Sequence, residues 1–144
     1  MPNTICISVI FSILSINKNI LFCDTNVFDG NINLSSLKSL IKKNKNLAHI
    51  IIAPHMYGNL VNIKELKKIC KKEKIFLVED CAQALGTSYG DKFVGSFGEA
   101  SIFSFGYSKN IDAGGGGCVV VNDKSLAKNI FKNYKNLDKL KKYE

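Results

Sequence analysis

The stretch around Val78–Asn110 restricts this chain more than any other. Two short apolar runs lie in or against it. Ile75-Phe-Leu-Val closes at Glu79-Asp80, and Ser101-Ile-Phe-Ser-Phe is followed shortly by Lys109. Runs of this length, rich in β-branched and aromatic residues and bounded by polar and glycine clusters, read as buried strands. An acid at the carboxyl end of such a strand stands where open α/β sheets hold their ligands. Two strands therefore aim Asp80 and Lys109 at one crevice, and the rest of the chain has to supply the layers that bury them.

The remaining pattern supplies those layers. Residues 4–8 read as a strand end, 9–17 as a short apolar helix, and Asn19–Cys23 as a second strand closed by Asp24. Asn26, Asp29, Gly30 and Asn31 mark a loop. Asn33 can cap a helix whose apolar positions Leu34, Leu37, Leu40 and Ile41 follow helical spacing. Leu47–Ala53 reads as a buried strand running into the loop Pro54-His-Met-Tyr-Gly58, where Tyr57 and Gly58 read as structural. Asn62-Ile-Lys-Glu65 has the form of a capping box. The helix it opens buries Ile63, Leu66, Ile69 and Cys70 and turns its lysines outward. After strand Ile75–Glu79 come the Asp80–Gly86 turn and a small hairpin around Tyr89-Gly-Asp-Lys92. Strands Ala100–Phe105 and Cys118–Val121, and an amphipathic helix from about Lys124, complete the chain. Strands alternating with helices make an α/β layered fold.

Composition narrows the partners. The net charge of +8 is carried by 20 basic residues, every one of them lysine. Specific readers of phosphate and base edges rely on arginine's fork, so nucleic-acid binding is not expected. Five cysteines, odd in number and scattered in apolar runs, suit reduced thiols in a cytoplasmic protein. No Cys-x-x-Cys or paired-histidine spacing occurs, so no metal site is expected. The apolar run Ile5–Ile16 is shorter than the ~20 residues of a spanning helix, so no membrane association is expected either.

The chemistry-bearing residues fit one cofactor. A Schiff base needs an amine that can lose its proton near neutral pH, which lysine does when desolvated in a pocket. The pyridine nitrogen of pyridoxal phosphate (PLP) needs a buried acid to stay protonated. Its phosphate needs backbone N–H groups and small hydroxyls. Lys109, Asp80 and Ser104 are of these types. Taken singly, each has another reading: Lys109 as an ordinary loop lysine, Asp80 as the cap of the following turn, Gln83 as a solvent-facing turn residue, Ser104 as a hydroxyl satisfying backbone. His55, equally consistent with a base, a stacking group or loop packing, is not assigned. The glycine run Gly114–Gly117 precedes a strand rather than opening a helix, which disfavours a dinucleotide loop.

Five blocks in order resemble the DegT/DnrJ/StrS family of PLP-dependent aminotransferases of nucleotide-linked keto-sugars. They are His55-Met-Tyr-Gly58, Glu79-Asp-Cys-Ala-Gln-Ala-Leu-Gly86, Gly95-Ser-Phe-Gly98, Phe103-Ser-Phe-Gly-Tyr-Ser-Lys-Asn110, and Gly114–Gly117 before Cys118-Val-Val-Val. Gly106 departs from the family, which usually carries a larger residue there. The resemblance implies a three-layer αβα fold, the large domain of a fold type I PLP-transferase, with residues 1–144 a part of it. It further implies truncation at both ends and a small C-terminal domain absent. Lys109 would form the internal aldimine, Asp80 would pair with the pyridine nitrogen, Gln83 would contact the ring face or phenolic oxygen, and Ser104 would hold phosphate. The activity implied is transamination of a nucleotide-linked keto-sugar by an amino-acid donor, glutamate by resemblance, in a homodimer of the full-length form. A silent or regulatory remnant, or one half of a split enzyme, is the alternative. The sugar and the carbon aminated are left open.

Overall fold

The computed structural model describes residues 1–45 and 47–135, so Asn46 and residues 136–144 of the expected 1–144 unit lie outside the described residues. A mixed sheet of four strands forms its centre: β1 (Ile50–Pro54), β2 (Phe76–Asp80), β5 (Ala100–Ser104) and β6 (Gly117–Val121), in that spatial order. The first three are parallel, and β6 runs antiparallel to β5. A small hairpin of β3 (Ser88–Tyr89) and β4 (Lys92–Phe93) stands apart from the sheet. Its turn lies between Tyr89 and Lys92, as the sequence indicates.

Helix α2 (Leu34–Lys43) starts where Asn33 accepts hydrogen bonds from the N–H groups of Ser35 and Ser36. Helix α3 (Ile63–Glu73) starts where Asn62 accepts from Glu65 N–H. Their apolar stripes pack on one face of the sheet. Leu37, Leu66 and Ile69 meet Ile51, Ala53 and Leu77 in the main core cluster. Helix α1 (Ile7–Leu14) buries none of its residues, and neither does α4 (Lys124–Lys135), which follows β6. Ile13 and Ile16 near the end of α1, and Leu37, Leu40 and Ile41 of α2, line a shared cavity of about 590 Å³ along the open edge of β1. No helix among the described residues is long and apolar enough to cross a membrane.

Two expected strands are not formed. Residues 4–8 bend and enter α1, and Asn19–Cys23 makes only the isolated bridge Pro2↔Cys23. The reason is non-local. Extended, apolar sequence becomes a strand only where a neighbouring backbone completes the ladder, and here the matched segment is Met1–Asn3.

Strand alternation decides which side chains share a face. Register pairs Glu79 with Ser101 and Asp80 with Ile102. Leu77, Glu79 and Ser101 therefore point toward α2 and α3, all buried. Asp80, Ile102 and, two positions on, Ser104 share the opposite face. The adjacent carboxylates of β2 are thus sent to opposite sides of the sheet.

Candidate functional site

Asp80 ends β2 and is 8% exposed. Its Oδ1 accepts the N–H of Ala82 at 3.0 Å, so it does cap the turn that follows. Oδ2 takes no hydrogen bond from the described residues and is left for a donor from outside. Capping and cofactor binding are therefore compatible, one oxygen for each.

Ser104 closes β5 on the face of Asp80. Its Oγ accepts the N–H of Gly106 at 3.4 Å, which leaves the hydroxyl hydrogen uncommitted. Beyond it, Lys109 is half-buried in a loop that leaves the sheet at Ser104 and re-enters it at Gly117, its Cα partner. The Lys109 N–H donates to Gly106 O, and Ser108 just before it is left-handed at φ 63°. Such a backbone is uncommon outside glycine. Glycines 114, 115 and 116 all take positive φ, so this return path needs residues without Cβ.

Cys6 was not anticipated. It stands at the N-terminus of α1, exposed, sharing a hydrogen bond with Ser8 Oγ at 3.2 Å. That bond and the backbone N–H of Ser8 hold its thiol below the ordinary cysteine value. Lys109 adds to the lowering and Asp80 opposes it.

Gln83 is half-buried, and its Oε1 accepts the N–H of Tyr57 at 2.9 Å. It thereby supports a loop in which Tyr57 is left-handed at φ 54° and 77% exposed. Only the amide NH₂ of Gln83 is left for another partner. The structure thus brings Asp80, Ser104 and Lys109 to one end of the sheet, with Gln83 engaged alongside.

Sequence reasoning passed over the most heavily bonded acid. Glu79, fully buried, accepts from Gly95 N–H (3.0 Å), Phe97 N–H (2.7 Å) and Gly98 N–H (2.6 Å), and from His55 Nε2 (3.1 Å). Val61 N–H points at His55 Nδ1, so the ring proton sits on Nε2. Burial is the largest single influence on Glu79 and opposes its charge. The His55 and backbone donors outweigh it, holding the carboxyl below the usual glutamate value. Two signals were available in the sequence. Glu79 alternates with Leu77 on an apolar face, and Gly95-Ser-Phe-Gly98 can offer several N–H groups to one anion.

His55, Glu79 and Cys81 also have the donor types of a metal site, with ligand atoms within 4.8 Å of one another. Their lone pairs are otherwise employed. Both carboxylate oxygens and both ring nitrogens are hydrogen-bonded, and burial followed by the charges of Glu79 and Asp80 pushes the Cys81 thiol up, away from the thiolate a metal needs. The cavities of about 640 and about 590 Å³ contain none of Asp80, Gln83, Ser104 or Lys109. The site lies on an open face rather than in either cavity.

Comparison with known proteins gives this arrangement a lineage. The family described as DegT/DnrJ/EryC1/StrS aminotransferase matches residues 1–141. GDP-perosamine synthase of Escherichia coli O157:H7 is 40% identical over 91 residues, 63% of this chain and 25% of the relative. UDP-4-amino-4,6-dideoxy-N-acetyl-beta-L-altrosamine transaminase of Helicobacter pylori is 38% identical over 98 residues, 68% of this chain and 25% of the relative. Among solved structures, the aminotransferase from Psychrobacter cryohalolentis superposes with a TM-score of 0.82 at 26% identity, covering 96% of this chain and 37% of that one. The chain spans about a quarter of the length of the curated relatives it matches.

Proposed function

The chain belongs to the DegT/DnrJ/EryC1/StrS aminotransferase family, and on that premise we propose that it carries the PLP-binding part of an enzyme that transaminates a nucleotide-linked keto-sugar. The observation that carries the reading is the free oxygen of a nearly buried acid. Asp80 spends Oδ1 on Ala82 and keeps Oδ2 open, on the face it shares with Ser104 and at the sheet end from which the Lys109 loop departs. A buried carboxylate with one uncommitted oxygen suits a pyridine N–H, and the residues present fit the group.

PLP, when bound, supplies the electron sink that lets a bond at the amino-bearing carbon break. The chain's own residues do the rest. Lys109 Nζ would be the amine that holds the cofactor, and its free amine would hold and move a proton at the substrate's amino-bearing carbon. Asp80 Oδ2 would accept the ring N–H and favour its protonated form. The Ser104 hydroxyl would donate to phosphate, and Gln83 would offer its NH₂ to the ring face or phenolic oxygen while Oε1 holds the Tyr57 loop. We assign glutamate as amino donor, a homodimer as the working assembly and the cytoplasm as compartment. The names of the relatives support the sugar substrate class, being synthases and transaminases of GDP- and UDP-linked amino sugars. Residues 1–144 are read as part of a large domain.

Borohydride trapping tests the reading. The purified chain is mixed with PLP, reduced, digested and mapped by mass spectrometry, with Lys109→Ala as control. A stoichiometric adduct on Lys109 that disappears in the variant is expected. Adducts scattered over surface lysines of a folded chain would overturn it, in favour of a silent remnant or one half of a split enzyme.

A further inference from the structure

One buried ionisable group has no part in the chemistry just described. We propose that Glu79 is a positioning residue for the cofactor-binding face. Through the Gly95–Gly98 turn it sets the register at which β5 enters the sheet, and so where Ser104 and Lys109 stand relative to Asp80. The inference rests on the reading of Asp80, Ser104 and Lys109 as cofactor ligands.

The register it controls is short. β2 and β5 are matched at Val78↔Ala100, Glu79↔Ser101 and Asp80↔Ile102. A parallel ladder of this length holds itself weakly, and a slip of one residue would turn Ser104 to the opposite face from Asp80. Contacts that resist such a slip converge on the turn just before β5. Glu79 takes the N–H groups of Gly95, Phe97 and Gly98. Ser101 Oγ donates to Gly95 O at 3.1 Å, and Leu77 N–H donates to Glu99 Oε2 at 2.7 Å. Glu79 is itself the register partner of Ser101, whose hydroxyl binds the same turn. There is no room for a bulkier turn. A Cβ on Gly98 would lie 2.7 Å from Leu77 O, and one on Gly95 would lie 2.6 Å from Phe103.

The carboxylate is also fixed from the other side. His55 donates Nε2–H to it, while the His55 backbone N–H donates to Asp80 O at 3.0 Å. The end of β1 is therefore bonded to both neighbouring acids, by side chain to one and by main chain to the other. Moving Glu79 would disturb the Asp80 arm and the Lys109 arm together.

Glu79→Gln tests this in the full chain. The amide keeps the shape but turns one oxygen into NH₂, which then faces the N–H of Gly95 or that of Phe97 and Gly98, donor against donor. Two readouts apply. PLP affinity is measured by absorbance titration, corrected for the folded fraction by circular dichroism, and amide hydrogen exchange is measured without PLP. The expected result is a dissociation constant raised roughly tenfold per folded molecule, the size of one lost charge-assisted hydrogen bond. Faster exchange should extend from Gly95–Gly98 through Ala100–Lys109. Unchanged affinity per folded molecule, with exchange altered only at the turn, would overturn the proposal and leave Glu79 a stability residue. If Glu79→Gln does not fold, His55→Asn, which withdraws one donor and leaves the three backbone donors, is read by the same measures against the same outcomes. If the unsubstituted chain takes no PLP on Lys109, the functional reading fails and the exchange arm decides: spread to Ser104–Lys109 upholds positioning, and confinement to the turn overturns it.

Discussion

The two faces of the sheet around Glu79 and Asp80 make opposite use of a carboxylate. On the α2–α3 face, Glu79 is fully buried and each of its oxygens accepts two N–H donors. On the other face, Asp80 keeps Oδ2 open beside exposed Ile102, with the Lys109 loop beyond. The residues are sequence neighbours on one strand, and pleating alone separates them. One acid is consumed in binding backbone and histidine donors, and its neighbour keeps one oxygen uncommitted.

The largest effect should come from emptying the closed face. Glu79→Ala strands the N–H groups of Gly95, Phe97, Gly98 and His55 in a buried space, and should cost about 3–5 kcal/mol, read by urea unfolding. The same carboxylate gives a pH dependence whose sign is fixed. Its folded value is depressed, so its contribution is present above the ordinary glutamate range of about 4.3 and is lost as pH falls through the depressed value. Unfolding midpoints taken from about pH 7 to about pH 3 should show that loss, and Glu79→Gln should flatten it.

Glycine substitutions sharpen the contrast. Gly98→Ala drives a methyl against Leu77 O and Ala100 O and should cost about 1–3 kcal/mol. Gly114→Ala meets nothing within 4 Å, and only its positive φ objects, for about 1 kcal/mol. Equal costs in thermal melts would erase the distinction between a crowded face and an open one. The smallest effect belongs to Lys109→Ala, within about 0.5 kcal/mol of the unsubstituted chain in the same melts. A large loss there would mean that the lysine supports the fold.

Much of this was legible in the sequence because it is local. Asn33 and Asn62 cap the helices they precede, and the stripes Leu34–Ile41 and Ile63–Cys70 turn inward as their spacing requires. Strands β2, β5 and β6 fall on the apolar runs, and the hairpin turns at Gly90-Asp91. What escaped is non-local. Asn19–Cys23 has the composition of a strand but pairs with Met1–Asn3 at a single bridge. The Glu79 cluster joins β2, the loop after β1 and the turn before β5, and no window of sequence contains all three. For the site, Asp80, Ser104 and Lys109 are legible from their positions at the ends of apolar runs together with the family resemblance. That Asp80 divides its oxygens, and that Gln83 spends Oε1 on Tyr57, are matters of three-dimensional course alone.

The antiparallel pairing of β5 and β6 has a kinetic consequence. Ser104 and Gly117 are matched across it, so the Lys109 loop is closed by strands adjacent in the chain. Closing that loop costs little entropy and needs no distant segment. The parallel β2–β5 pair must instead bring its strands together across the Asp80–Glu99 crossover, with its hairpin and glycine turn, which is the slower kind of closure. The lysine arm therefore closes at a slightly lower entropic cost than the acid arm, a difference of under about 1 kcal/mol because the cost grows only with the logarithm of loop length.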